Sequence, residues 1–191
     1  MAVLVLGLLL FLGVHSTRVF AEGARRRWIA GMGEMPYKGL YSVVSLVGFV
    51  LIVWGYGLAR QQPVLLWMPP RAMNHVAALL MLFSFVLLVA AYVPRNAIKA
   101  RLHHPMVLGV KTWAFAHLLA NGTLADVVLF GAFLLWAVLN FRAARRRDRT
   151  DNVHYAPGTA AGTAATVAVG LLAYGAFAFW GHAWLIGVRP F

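Results

Sequence analysis

The sequence predicts an all-α integral membrane protein: a polytopic bundle of six transmembrane helices forming a single domain over residues 1–191. Three observations carry this. Hydrophobic residues make up 62% of the chain, where soluble domains average roughly half. Several apolar runs approach or exceed the ~18–20 residues that cross a bilayer. The basic residues between those runs alternate in density, as topology signals do.

The same composition excludes other classes. The net charge is +12, yet the basic residues cluster beside apolar runs. No soluble fold is left to present a basic face, so nucleic acid is not an expected partner. The expected surroundings are the lipid bilayer, with self-association open. There are no cysteines. That excludes disulfides, thiolate catalysis, Cys-ligated zinc and thiolate-bound haem.

The first span is Ala2 to Phe20. A signal peptide carries positive charge before its apolar stretch. Here no charge precedes Arg18, and Arg25, Arg26 and Arg27 follow, so a retained span is expected. A short loop with Gly31, Gly33 and Pro36 leads to the second span, about Gly39 to Ala59. Pro63, Pro69 and Pro70 break the next connection, and Trp67 marks an interface. The third span runs from about Ala72 to Val93 and stops at Pro94. The fourth, about Met106 to Asn121, is short and ends in the Asn121-Gly122 turn. Thr123 is placed to cap the fifth, about Leu124 to Phe141. A basic loop from Arg142 to Asp151 follows, and then the sixth span, about Ala161 to Val188. Within it Gly162, Thr166 and Gly170 place small residues on one face for close helix packing.

Six spans make the loops alternate sides. Fourteen of the seventeen Lys and Arg residues then fall on one side. Only Arg60, Arg71 and Arg189 fall on the other. The positive-inside rule puts the richer side in the cytoplasm and both termini outside it.

Polar groups inside apolar helices are costly, and for that reason they are functional candidates. The stretch from Lys99 to Gly122 holds the most. His103, His104 and Pro105 open it, and Lys111, Trp113, His117 and Asn121 lie in its apolar part. Four histidines lie in or at the ends of spans: His15, His75, His117 and His182. One such histidine reads as a satisfied core group as readily as a ligand. Four shift the balance towards a metal or haem. Zinc prefers Cys, His and carboxylate sets, and the only carboxylate in a span is Asp126. Haem needs one or two axial ligands, so haem is the better fit.

Depth sorts the histidines into pairs. His15 lies ~20 Å into its span from the outside, and His117 lies ~17–20 Å from the cytoplasmic start of the fourth. His15 with His117 is the first pair, and His75 with His182, near the outer surface, the second. Arg18, one turn beyond His15, either meets a haem propionate or snorkels to the interface. Trp113, one turn before His117, packs on a cofactor ring or on a neighbouring helix. Lys111 points well away from His117, towards the cytoplasmic surface.

The segments His15-Ser16-Thr17-Arg18, Lys99 to Pro105, Leu108 to Trp113 and Ala116 to Gly122 resemble the NnrU family over nearly the whole chain. That resemblance implies a bacterial inner-membrane protein associated with denitrification, that is, with nitrite and nitric oxide reduction. The family is similar to 15-cis-ζ-carotene isomerase, a membrane enzyme that uses haem b. By that similarity His15 and His117 match the two axial histidines and His104 the histidine of a His-Pro motif. The implied ligand is an apolar small molecule or nitric oxide. Two other readings stand beside it. One is a structural or assembly membrane protein without haem. The other is an isoprenylcysteine-type methyltransferase using S-adenosylmethionine, whose Arg-His-Pro-x-Tyr-x-Gly stretch resembles the segment around His104-Pro105. Here His103 stands in place of that arginine and Val107 in place of the tyrosine.

Overall fold

The computed structural model describes residues 1–190; Phe191, the last residue of the expected domain, lies outside them. The helices in chain order are α1 (Ala2–His15), α2 (Thr17–Phe20), α3 (Glu22–Met32), α4 (Glu34–Gln61) and α5 (Ala72–Ala90). Then follow α6 (Ala97–Leu102), α7 (Pro105–Ala120), α8 (Leu124–Thr150) and α9 (Ala160–Ala176). A π-helical turn, Phe177–Gly181, joins α9 to α10 (His182–Ile186). The described residues form no β-strand, only an isolated bridge between Leu65 and Thr123.

Four of these are long and apolar enough to cross a membrane: Glu34–Gln61, Ala72–Ala90, Leu124–Thr150 and the continuous Ala160–Ile186. The other two expected spans are shorter helices. α1 has 14 residues and α7 has 16, about 21 and 24 Å of helix against a hydrocarbon core of ~30 Å. Local chemistry sets their lengths. α1 breaks at Ser16, and Phe20 ends the short α2 that continues it. α7 opens on Pro105, where a missing N–H costs nothing, and stops at Asn121 in extended backbone.

Two expected loops are helical. The chain from Glu22 to Met32 forms α3, and α4 begins two residues later. Gly33, at φ +87°, is the only break between them. Pro36 sits in the first turn of α4, a position proline tolerates. The basic run after Phe141 is no loop either, because α8 continues to Thr150. Its two Ala and five Arg residues are strongly helix-forming, and high charge does not alter that.

Glycine governs the packing of α1 on α4. Leu4 meets Gly55, Gly7 meets Ile52 and Phe11 meets Gly48. Each is an approach of backbone to backbone; a Cβ on Gly48 would lie 2.7 Å from the Phe11 nitrogen. These pairs set an antiparallel register that puts His15 opposite the Tyr41–Ser45 turn. α8 packs on α1 and α4, α7 on α8, α5 on α7, and α9 on α5. In this last pair Gly170 lies against Val86 and Thr166 is fully buried, as the small-residue stripe predicts. Leu4, Leu8, Ile52, Ala114, Leu129 and Phe130 form the central core. Large apolar side chains also cover the outside, among them Phe49, Trp54, Leu172 and Trp180.

The connections gather at two ends. At the basic end Arg147 Nη1 donates to the Arg18 carbonyl (3.2 Å), and Thr159 N to the Arg95 carbonyl (2.7 Å). At the opposite end Leu66 N donates to the Gly122 carbonyl and Leu124 N to the Val64 carbonyl, both at 2.8 Å. Arg60 Nη1 there donates to the Ile186 carbonyl (3.0 Å), linking α4 to α10. Gly122 is required at this crossing, since a Cβ would overlap the Trp67 carbonyl.

Candidate functional site

His15 is the last residue of α1. Its Nδ1 donates to the Phe11 carbonyl one turn back, at 2.6 Å. His117, in the last turn of α7, does the same to Trp113 at 2.9 Å. In both, Nδ1 is thereby the protonated nitrogen and Nε2 keeps its lone pair. Neither Nε2 has a hydrogen-bond partner among the described residues. An imidazole held at one nitrogen by a carbonyl, with the other free, has the form of a metal ligand.

Aromatic rings surround both. Phe11 stacks on His15 with centroids 4.2 Å apart, Tyr41 lies at 5.2 Å and Trp136 meets it edge-on at 6.2 Å. Phe130 stacks on His117 at 4.6 Å. The two histidines are joined through rings and not in direct contact: Phe11 to Phe133 (5.8 Å), Phe133 to Trp113 (5.3 Å), Trp113 to His117 (5.4 Å). On α8, His15 lies level with Trp136 and His117 with Phe130, a separation of about 9 Å along the axis. Trp136 Nε1 beside His15 is a buried donor with no acceptor, and so is Ser45 Oγ in the facing turn of α4.

The other expected site residues fall apart from this ladder. Trp113 packs edge-on against Phe130 and Phe133. Asn121 Nδ2 donates to the His117 carbonyl (2.8 Å), closing the end of α7. Arg18 lies at the basic end, near Glu22 and Arg147. Lys111 and His75 are exposed. Neither has an ion pair or hydrogen bond among the described residues. His182 Nδ1 donates to the Val188 carbonyl (2.6 Å), and the ring lies edge-on to Phe177. No hydrogen bond or ring contact among the described residues joins His182 to His117 or to His75.

His104 and Pro105 belong to a separate cluster at the basic end. His104 Nε2 donates to Asp148 Oδ2 at 2.9 Å, and the Tyr155 hydroxyl donates to the same oxygen at 3.2 Å. His103 Nδ1 lies 3.4 Å from it and Arg145 Nη1 3.7 Å. Burial, then the charge and hydrogen bond of Asp148, push the Tyr155 phenol above its usual range. The sequence reading missed Asp148 and Tyr155. Its one available signal was a single carboxylate inside a run of five arginines. It also missed Tyr41 and Trp136, which look like any aromatic of an apolar span. No group of three or more His, Asp or Glu among the described residues is arranged to hold a metal ion.

These features define a helical membrane-type protein with imidazoles set among aromatic rings. A family model described as NnrU protein matches residues 3–190, and the chain belongs to that family. Comparison with curated proteins and with solved structures gave no match.

Proposed function

We propose that this NnrU-type protein is a six-span protein of the bacterial inner membrane that binds haem b through His15 and His117. The observation that carries the reading is the paired anchoring of the two rings, each with Nδ1 spent on the carbonyl four residues back and Nε2 free. Two further features support it. Phe11, Phe133 and Trp113 make the surroundings of both imidazoles apolar. The orphaned Trp136 donor beside His15 lacks an acceptor. His15 and His117 are the residues that would hold the iron.

Bound haem would supply an iron with an exchangeable axial position, suited to nitric oxide or to an isomerase-like reaction of an apolar molecule. The chain's own residues hold each imidazole in one tautomer and surround it with aromatic rings. Arg18, at that end, would attract propionates.

An absorption spectrum of protein expressed with added haem tests this. A low-spin haem b spectrum is expected. His15→Ala or His117→Ala should lose haem or turn it high-spin, and His154→Ala should leave it unchanged. A haem-free wild type, or wild-type spectra from both ligand variants, would overturn the assignment.

A further inference from the structure

A groove of about 680 Å³ opens at the basic end, within the ~300–1,000 Å³ of ligand clefts. Arg142, Arg145, Arg146 and Arg149 of α8 line it. Their spacing of three, four and seven residues puts all four on one helix face. Like charges so placed repel one another, and an anion between them would relieve the cost. The nearby carboxylates are engaged elsewhere. Glu22 holds Arg25 and Arg26, and Asp148 holds His103 and His104. Only Arg145 of the four lies within ion-pair distance of a carboxylate, at 3.7 Å from Asp148. Arg142, Arg146 and Arg149 have no carboxylate partner among the described residues.

The rest of the groove is apolar. Phe20 of α2 forms one wall, and Leu139 and Phe141 of α8 continue below the arginines. Phe20 is 70% exposed, a costly state for a large ring in water. The groove thus sits where the apolar part of α8 gives way to its basic part, the level of lipid headgroups in a bilayer. A soluble phosphate would use the arginines and leave the apolar wall bare. A lipid with an anionic headgroup uses both.

We infer that this groove binds an anionic phospholipid, its phosphate among Arg142, Arg146 and Arg149 and its acyl chain against Phe20 and Leu139. Basic pockets at the cytoplasmic ends of helices recognise such headgroups, and guanidinium meets phosphate in bidentate fashion. The inference goes beyond the haem reading, and its readout is independent of the haem spectrum.

The test is native mass spectrometry and thermal unfolding of detergent-purified protein, titrated with phosphatidylglycerol, phosphatidylcholine or inorganic phosphate. Phosphatidylglycerol should be retained and should raise the unfolding temperature, and the other two should do neither. Combined Arg142→Gln, Arg146→Gln and Arg149→Gln should weaken retention at least about tenfold. Combined Arg27→Gln, Arg71→Gln and Arg101→Gln removes the same charge from unpaired arginines elsewhere and should not. If the glutamine variant fails to fold, the same three positions changed to Lys keep the charge but lose the planar fork, and retention should still fall. Equal retention of phosphatidylcholine, an equal shift from phosphate alone, equal loss in both triple variants, or full retention in the groove variant would each overturn the inference.

Discussion

The Tyr56 hydroxyl donates to Asp126 Oδ1 at 2.6 Å, joining α4 to the first turn of α8 across seventy residues of sequence. The other oxygen, Oδ2, accepts from the Thr123 nitrogen (2.9 Å) and hydroxyl (2.6 Å), completing a capping box. Asp126 is 4% exposed, so a carboxylate there depends on these donors. Tyr56→Phe should cost about 1.5–3 kcal/mol, the range for hydrogen bonds to charged groups. Asp126→Ala should cost more, since it also removes the cap. Asp126→Asn keeps one acceptor oxygen, enough for Tyr56 or for Thr123 but not for both, and should fall between wild type and Asp126→Ala. Unfolding in mixed detergent ranks the three. A Tyr56→Phe protein as stable as wild type would show that the bond contributes nothing.

Two glycines two residues apart, on opposite faces of α4, should respond in opposite ways. Gly55 faces the backbone of Leu4 and Val3, with no space for a methyl group, whereas nothing lies within 4 Å of a Cβ on Gly57. Gly55→Ala forces α1 away from α4 and should destabilise by about 1–3 kcal/mol. Gly57→Ala should be neutral or stabilise by about 0.5–1 kcal/mol, because it removes backbone freedom from the unfolded chain. The same unfolding assay reads both. Equal effects would mean that α1 does not pack on α4 in this register.

Asp148 is the shared acceptor of the basic-end cluster. Asp148→Ala strands the His104 and Tyr155 donors and should cost about 1–3 kcal/mol. Its effect on Tyr155 has a direct optical readout. Burial, and then the charge of Asp148, raise the phenol above its ordinary value. The sign follows: a raised value favours the neutral phenol in the folded protein. The stabilisation is complete below the ordinary tyrosine range near ~10, and it is lost as pH climbs through the raised value. In an ultraviolet difference titration against Tyr155→Phe, Tyr155 should ionise late in wild type and earlier in Asp148→Asn. Unchanged ionisation would separate Tyr155 from Asp148.

Where the sequence was legible, a cost made it so. His15 and His117 stood out because imidazole is expensive in an apolar helix. Their anchoring to Phe11 and Trp113 is a bond that any helical histidine has within reach, so no residue type announces it. The four long helices were legible from unbroken apolar runs. The helix from Arg142 to Thr150 was not, because charge suggests a loop while Ala and Arg favour a helix. Asp148 was lost in that run. Its partners His104 and Tyr155 lie 44 positions before it and 7 after, and only the tertiary fold brings them together.

The last prediction concerns how many times the chain crosses the membrane. Four helices have the length and apolarity to cross; α1 and α7 are short. Six crossings put fourteen of the seventeen basic residues on one side, which the positive-inside rule places in the cytoplasm. Hydrogen bonds between distant segments agree with the same sides. Arg18 meets Arg147 and Arg95 meets Thr159 at one end, while Arg60 meets Ile186 and Leu66 meets Gly122 at the other. If α7 failed to cross, one member of each pair would change sides. Reporter fusions after Arg27, Arg101 and Arg147 should therefore read cytoplasmic. Fusions after Arg60 and at Phe191 should read periplasmic. A cytoplasmic signal at Phe191 with a periplasmic one after Arg60 would mean an odd number of crossings after Arg60, and the six-span arrangement would fall.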